Sequence, residues 1–245
     1  MTKLISVIMP SYNKAKYIEA AISSIVAQSY ANWELLIIDD KSTDNTLDVL
    51  ARSKLDGRVS LIQNDHNIGL TATWNKGVKL ARGEYVCDLD PDDLLTPESL
   101  ACRLATIQKG CQAVYGNIIA RTNGQDKIVR QVQRNNIVDF LVNKPASSGI
   151  NSHSALYARE VFDQIGFRDH KFGTHADYEF DLRVLLNCKI RITNSVSYIY
   201  NKVENASSMC FLAQKDDTEN LIKTRLEKSY LKLFLQNEMS IHHHI

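Results

Sequence analysis

The sequence predicts an α/β fold: a mostly parallel central sheet covered by helices, continuing into a mixed α+β half. Two observations predict it. From Leu4 to Tyr85 short apolar runs alternate with stretches of helical periodicity, the pattern of strand–helix–strand units around a parallel sheet. The acidic clusters Asp39-Asp40 and Asp90 to Asp93 each follow an apolar run, at what would be strand ends. Ligands of such sheets bind at the carboxyl ends of the strands.

The elements read in order as follows. Leu4 to Met9 is a buried-strand pattern stopped by Pro10, and Ser11-Tyr12-Asn13 is a turn. Ile18, Ala21, Ile22, Ile25 and Val26 recur at the spacing of one helix face. Trp33 to Ile38 is a second strand. Ser42-Thr43-Asp44 then supplies N-cap chemistry for a helix carrying Leu47 and Leu50, with Leu55 as a candidate to extend its face. Val59 to Ile62 is a third strand and Asn67-Ile68-Gly69 a turn; Leu70, Trp74, Gly77, Val78 and Ala81 form a helical stripe leading to a fourth strand at Tyr85. Thr96-Pro97 opens a helix facing inward through Leu100, Leu104 and Ile107. Gln112 to Tyr115 reads as a strand, and Asn123-Gly124 between apolar segments signals a two-residue hairpin. A loop over Lys144 to Ser154, a short helix ended by Gly166 and a helix bearing Phe180, Val184 and Leu185 follow. From about Asp216 the tail reads as a helix.

Composition excludes several classes. The chain has 245 residues, 44% hydrophobic and 23% charged, which is ordinary for a soluble globular protein with a substantial core. A formal net charge of +1 gives no electrostatic case for nucleic acid as a partner. The five cysteines are scattered and odd in number, which argues for reduced thiols and a cytoplasmic setting rather than a disulfide framework or zinc site. No apolar run approaches the ~18 residues of a membrane span. Lys223, Arg225, Lys228 and Lys232 beside Leu226, Leu233 and Phe234 allow the tail to lie on a membrane surface, to pack on its own domain, or to form a homo-oligomer contact. His242 to His244 read as a frayed tail.

Chemistry concentrates at Asp88-Leu89-Asp90-Pro91-Asp92-Asp93. Carboxylates delivered to one point repel unless something positive sits among them. A hard divalent cation, Mg²⁺ or Mn²⁺, is the partner that oxygen-only ligands favour. A calcium loop is excluded, because the sharp-turn position that wants Gly is Asp93 and the last position, which wants Glu, is Ser99. The glycine-rich phosphate loops of common nucleotide folds are missing as well.

Ser6 to Asn13, Glu34 to Asp44, Asn67-Ile68-Gly69, Asn75-Lys76-Gly77, Ala81 to Val86 and Asp88 to Asp93, in that order and spacing, resemble the successive signature blocks of family 2 glycosyltransferases. The resemblance covers residues 4–100 and thins beyond residue 110 to the stretch from His153 to Gly166 and to Asp177 with its helix. It implies a GT-A-type sandwich over residues 1–212, with a nucleotide-binding half over 1–110 and an acceptor half over 111–212, and a helical extension over 213–245. It implies transfer of a sugar from a nucleotide-diphosphate donor, a UDP-sugar first of all, to a saccharide or lipid-linked saccharide acceptor, with inversion.

On the matching positions, Pro10, Tyr12, Asp40 and Asp90 bind the nucleotide, Asp92 and Asp90 the divalent cation, and Asp177 is the catalytic base, with Asp181 one turn on as the fallback. An aromatic face can stack on a base and a carboxylate can accept a ring N–H, which suits uracil, thymine or guanine. His153 and His175 are candidates to meet the donor or acceptor. Two departures stand out: many members have Arg where Trp74 stands, and Ala176 precedes the base where Glu is frequent. A non-catalytic nucleotide-sugar-binding module and a nucleotidyltransferase are the alternatives.

Overall fold

The structure, a computed structural model, describes residues 2–53, 55–129 and 152–202. The tail helix, its surface contacts and most of the 144–154 loop fall outside the described residues.

Strand β1 (Ile5–Ser11) pairs in parallel with β2 (Trp33–Asp39) and β4 (Tyr85–Asp88), and β2 with β3 (Val59–Gln63). Every residue of β1 and β2 is buried, because the sheet is covered on both faces. Side chains alternate between two apolar layers: Val7, Met9, Leu35 and Ile37 join one, Ile8, Leu36 and Ile38 the other. Helices α1 (Ile18–Val26), α2 (Thr46–Arg52) and α3 (Leu70–Leu80) make the crossovers. Their buried faces follow the predicted stripes, except that Val26 and Leu70 at helix ends are 45% and 44% exposed. A Cβ on Gly77 would stand 2.4 Å from Ile8 Cγ2, so α3 lies closer to β1 than a larger residue allows.

Beyond β4 the sheet turns mixed. Among the described residues nine strands form one sheet, eight of them in the order β3-β2-β1-β4-β8 (Ala155–Ala158)-β6 (Ala113–Thr122)-β9 (Ile190–Lys202)-β5 (Leu94–Leu95), with β7 (Gln125–Val129) pairing β6 off that path. Strand β8 (Ala155–Ala158) is antiparallel to both β4 and β6, while β9 (Ile190–Lys202) runs parallel to β6 and antiparallel to the short β5 (Leu94–Leu95). The hairpin forms as predicted: Asn123 and Gly124 take φ of 50° and 75°, the two left-handed residues that such a turn needs. Helices α4 (Ser99–Ile107), α5 (Glu160–Ile165) and α6 (Ala176–Asn187) complete the cover.

Strands β5, β8 and β9 are not evident in the sequence. β5 and β8 are too short to show periodicity, and the β6–β9 pairing shifts register between Tyr115 and Ile118, which breaks the alternation. Among the described residues no helix is long and apolar enough to cross a membrane.

Candidate active site

Strands β1 and β2 end in register, Ser11 opposite Asp39, and the next residues, Tyr12 and Asp40, open adjacent loops. Asn13 Oδ1 accepts from the Thr43 and Asp44 amides at 2.8 and 3.2 Å, which laces the two loops together. Pro10 is buried in β1, whereas Tyr12 is 44% exposed and offers its ring. Asp40 is buried and organises the 67–69 turn: Oδ1 accepts from Asn64 Nδ2 and the Ile68 amide, both at 2.8 Å, and Oδ2 from the Gly69 amide at 2.9 Å. A carboxylate offers about four lone-pair sites, so a place remains on Oδ2 for one more donor.

The carboxylates at and after the end of β4 are each partnered, Asp88 and Asp90 in part by the same histidine. Asp88 is buried, with Arg168 Nη2 at 3.1 Å and His153 Nδ1 at 3.5 Å from Oδ2. Burial pushes its carboxyl up, but Arg168 and His153 outweigh this and hold it below its ordinary value. Asp90 lies 3.7 Å from the same His153 nitrogen. Burial drives the Asp90 carboxyl up, His153 opposes this, and the charges of Asp92 and Asp88 add to the rise. Asp92 Oδ2 accepts from the Lys14 ammonium at 2.5 Å. Asp93 Oδ2 accepts from the Tyr198 hydroxyl and Oδ1 from the Asn201 amide, both at 2.8 Å; burial and the Asp90 charge push it to about 7.

His153 is the hinge of this arrangement. It stacks on Tyr198 with centroids 5.5 Å apart. Burial disfavours its proton, yet the charges of Asp90, Asp88 and Asp177 prevail and raise it well above the ordinary histidine value. Asp177 sits in the first turn of α6, where Oδ2 accepts from Ser152 Oγ at 3.1 Å and Oδ1 from the Tyr178 amide at 2.7 Å. The structure therefore brings Asp90, from the turn after β4, and Asp177, from α6, against the same 152–154 turn through His153 and Ser152. His175 occupies the N-cap position of α6, beside Asp177 but half-buried.

Asp181 does not serve as the fallback base. It is 2% exposed, and its Oδ1 accepts from Tyr157 and Tyr115 hydroxyls at 2.7 and 2.8 Å, which ties α6 to β8 and β6. Burial raises its carboxyl to about 7 against the ordinary 3.8, in spite of the two hydroxyls. Its folded-state affinity for the proton exceeds the unfolded one, so its ionisation costs stability progressively as pH rises through that window and no further above it. Asp181→Asn keeps an acceptor for one hydroxyl and removes the titration. Denaturant melts should show the variant gaining on wild type between pH 4 and 7 (about the bounds of that window). A constant difference over that range would contradict the assignment.

Sequence reasoning missed Arg168. Its guanidinium is 3.7 Å from the Trp74 ring centroid, over a side chain 1% exposed, and Asn75 holds its backbone through Nδ2–O and N–Oδ1 hydrogen bonds of 2.8 and 3.2 Å. The segment after α5 thus places a cation against Trp74, where many family members carry Arg, and this cation pairs with Asp88. The signal was there in Asp88: a buried carboxylate needs a cation. Lys14 was missed for the same reason.

Asp90, Asp92 and Asp93 each place an oxygen within 4.8 Å of the others. This all-oxygen donor set fits a hard divalent cation. Asp93 is committed to Tyr198 and Asn201, which leaves Asp90 and Asp92 to face the site.

The glycosyl transferase family 2 pattern matches residues 6–166, and the chain belongs to that family. It is 41% identical over 116 residues to the E. coli UDP-Glc:alpha-D-GlcNAc-diphosphoundecaprenol beta-1,3-glucosyltransferase WfgD, a match covering 46% of this chain and 45% of that one. Over 223 residues it is 28% identical to the glycosyltransferase GlyG of Streptococcus pneumoniae, covering 82% of this chain and 72% of the relative. The first of these matches spans less than half of the relative's length. The fold matches the crystal structure of S. aureus TarS residues 1–349 in complex with UDP, at a TM-score of 0.67 and 22% identity, over 96% of this chain and 72% of that one. The architecture is the GT-A type.

Proposed function

We propose that the chain transfers a sugar from a UDP-sugar to a hydroxyl of a saccharide or lipid-linked saccharide, with inversion, in the synthesis of a surface polysaccharide or glycoconjugate. The observation that carries the reading is the 152–154 turn: His153 Nδ1 lies 3.7 Å from Asp90 Oδ2, just after β4, and the adjacent Ser152 Oγ donates to Asp177 Oδ2 at 3.1 Å at the start of α6. In this reading the donor-side carboxylates and the base share one site at the carboxyl edge of the parallel strands. A relative named for UDP-glucose and a diphosphoundecaprenol acceptor, and a structural neighbour solved with UDP and with UDP-GlcNAc, support the donor class and a lipid-linked acceptor. Such an acceptor would bring the chain to the cytoplasmic face of a membrane.

In this reading Tyr12 stacks on the uracil and the remaining lone pair of Asp40 accepts its ring N–H. Asp90 and Asp92 hold Mn²⁺ or Mg²⁺, which when bound offsets charge on the leaving diphosphate. Asp177 takes the proton from the acceptor hydroxyl as that oxygen attacks the anomeric carbon from the face opposite the diphosphate, and a single displacement inverts the configuration. Ser152 keeps the Asp177 carboxylate in place for that transfer.

The test is turnover of UDP-sugars with a diphospholipid-linked saccharide, reading released UDP and the anomeric configuration of the product by NMR. Release of UDP with an inverted product is expected. No release from any UDP-, dTDP- or GDP-sugar would overturn the transferase reading, and a retained configuration would overturn the single displacement.

A further inference from the structure

The cations among the site's carboxylates differ in how firmly they are held. Arg168, which pairs with Asp88, is 7% exposed, stacked on Trp74 and clamped by Asn75. Tyr198 and Asn201, which serve Asp93, belong to the sheet. Lys14 is different. Its side chain is 27% exposed, and Asp92 is the one hydrogen-bond partner of its ammonium among the described residues. Its backbone, in contrast, is fixed: the amide donates to Thr46 Oγ1 at 2.9 Å and the carbonyl accepts from Tyr17 and Ile18 amides at 2.9 and 3.1 Å. A flexible four-carbon stem with a point charge at its tip thus pivots from a rigid base at the mouth of the site.

Resting on the proposed function, we infer that Lys14 is the resident cation of the donor site: it occupies Asp92 when the site is empty, and it moves onto the diphosphate when a divalent cation takes Asp92. The ammonium and a divalent ion cannot share Asp92 at contact distance without strong repulsion. Once displaced, the ammonium finds its nearest new anion in the donor's diphosphate, which Asp90 and Asp92 hold through the ion. Lys14 thereby opposes binding of the metal alone and favours binding of metal and nucleotide together. This is a coupling between two ligands, carried by one side chain.

The experiment is Mn²⁺ binding to the full chain, followed by the EPR signal of the free ion, with and without UDP, for wild type, Lys14→Met, Lys14→Arg and Asp92→Ala. Circular dichroism melts verify that each variant folds. Lys14→Met should bind Mn²⁺ alone about fivefold more tightly than wild type, the low end of ordinary coupling and suited to a partly buried pair. With UDP present that advantage should vanish or reverse, and Lys14→Arg should stay near wild type. An unchanged or weaker affinity for Mn²⁺ alone in Lys14→Met overturns the role of Lys14 and leaves the metal site standing. If Asp92→Ala binds Mn²⁺ as well as wild type, or if neither wild type nor Lys14→Met binds Mn²⁺ even with UDP present, the metal site itself fails and the role of Lys14 with it.

Discussion

Asp177→Asn should lower sugar transfer by a factor of about 10² to 10⁴, the range for loss of a positioned general base, and leave nucleotide affinity unchanged. The substitution is nearly isosteric. Its side-chain oxygen can still accept from Ser152 or from the Tyr178 amide, so the start of α6 persists. What disappears is the ability to take a proton. The proposed nucleotide contacts lie elsewhere, on Tyr12 and Asp40 just beyond β1 and β2, so in this account the loss belongs in kcat. Undiminished transfer would remove Asp177 from the chemistry. With Asp181 enclosed by two tyrosines, no neighbouring carboxylate on α6 could take its place.

The second large effect falls on stability. Arg168→Met should cost about 3–5 kcal/mol at neutral pH, the usual result of removing one partner from a buried pair. The methionine refills much of the volume over Trp74 but leaves Asp88 with His153 alone. The pH dependence gives the test its specificity. In the wild type the Asp88 carboxyl lies below its ordinary value, so its contribution to stability is present above the unfolded value of 3.8 and is lost as pH falls through the folded one. In the variant burial dominates and the carboxyl rises, so protonation relieves the unpaired charge. The deficit measured in denaturant melts should therefore be large at pH 7 and smaller toward pH 4 (about one carboxylate's range). A loss below about 1 kcal/mol, typical of an exposed pair, would mean that Arg168 does not compensate Asp88.

The donor half was legible in the sequence because its signals are local. An apolar run, a turn and a helical stripe each fit within a few residues, so β1, α1, β2 and α3 could be read directly and their carboxylates placed at strand ends. The other half depends on pairings that no window contains. Strand β8 joins β4 to β6 across some seventy residues of chain, about the span between Tyr85 and Tyr157. The short segment after α5 carries Arg168, whose purpose is evident only when Asp88 is seen buried beneath it. Trp74 reads in sequence as the loss of a cation; in the fold it is the platform on which Arg168 lies. The need for positive charge among the acidic residues was foreseen; besides the divalent ion that Asp90 and Asp92 would hold, the chain brings Arg168 to Asp88 and Lys14 to Asp92.

The central claim is that the two acidic strand ends form a metal-dependent nucleotide-diphosphate site. The most direct measurement is thermal stability with UDP, dTDP, GDP, ADP and CDP, each with and without Mn²⁺, on wild type and Asp92→Ala. A ligand at a hundredfold its dissociation constant adds about 2.7 kcal/mol, a readable shift. The account predicts that UDP, or failing it dTDP or GDP, stabilises the wild type in the presence of Mn²⁺ and that Asp92→Ala loses the effect. Stabilisation by no diphosphate under any condition would contradict it.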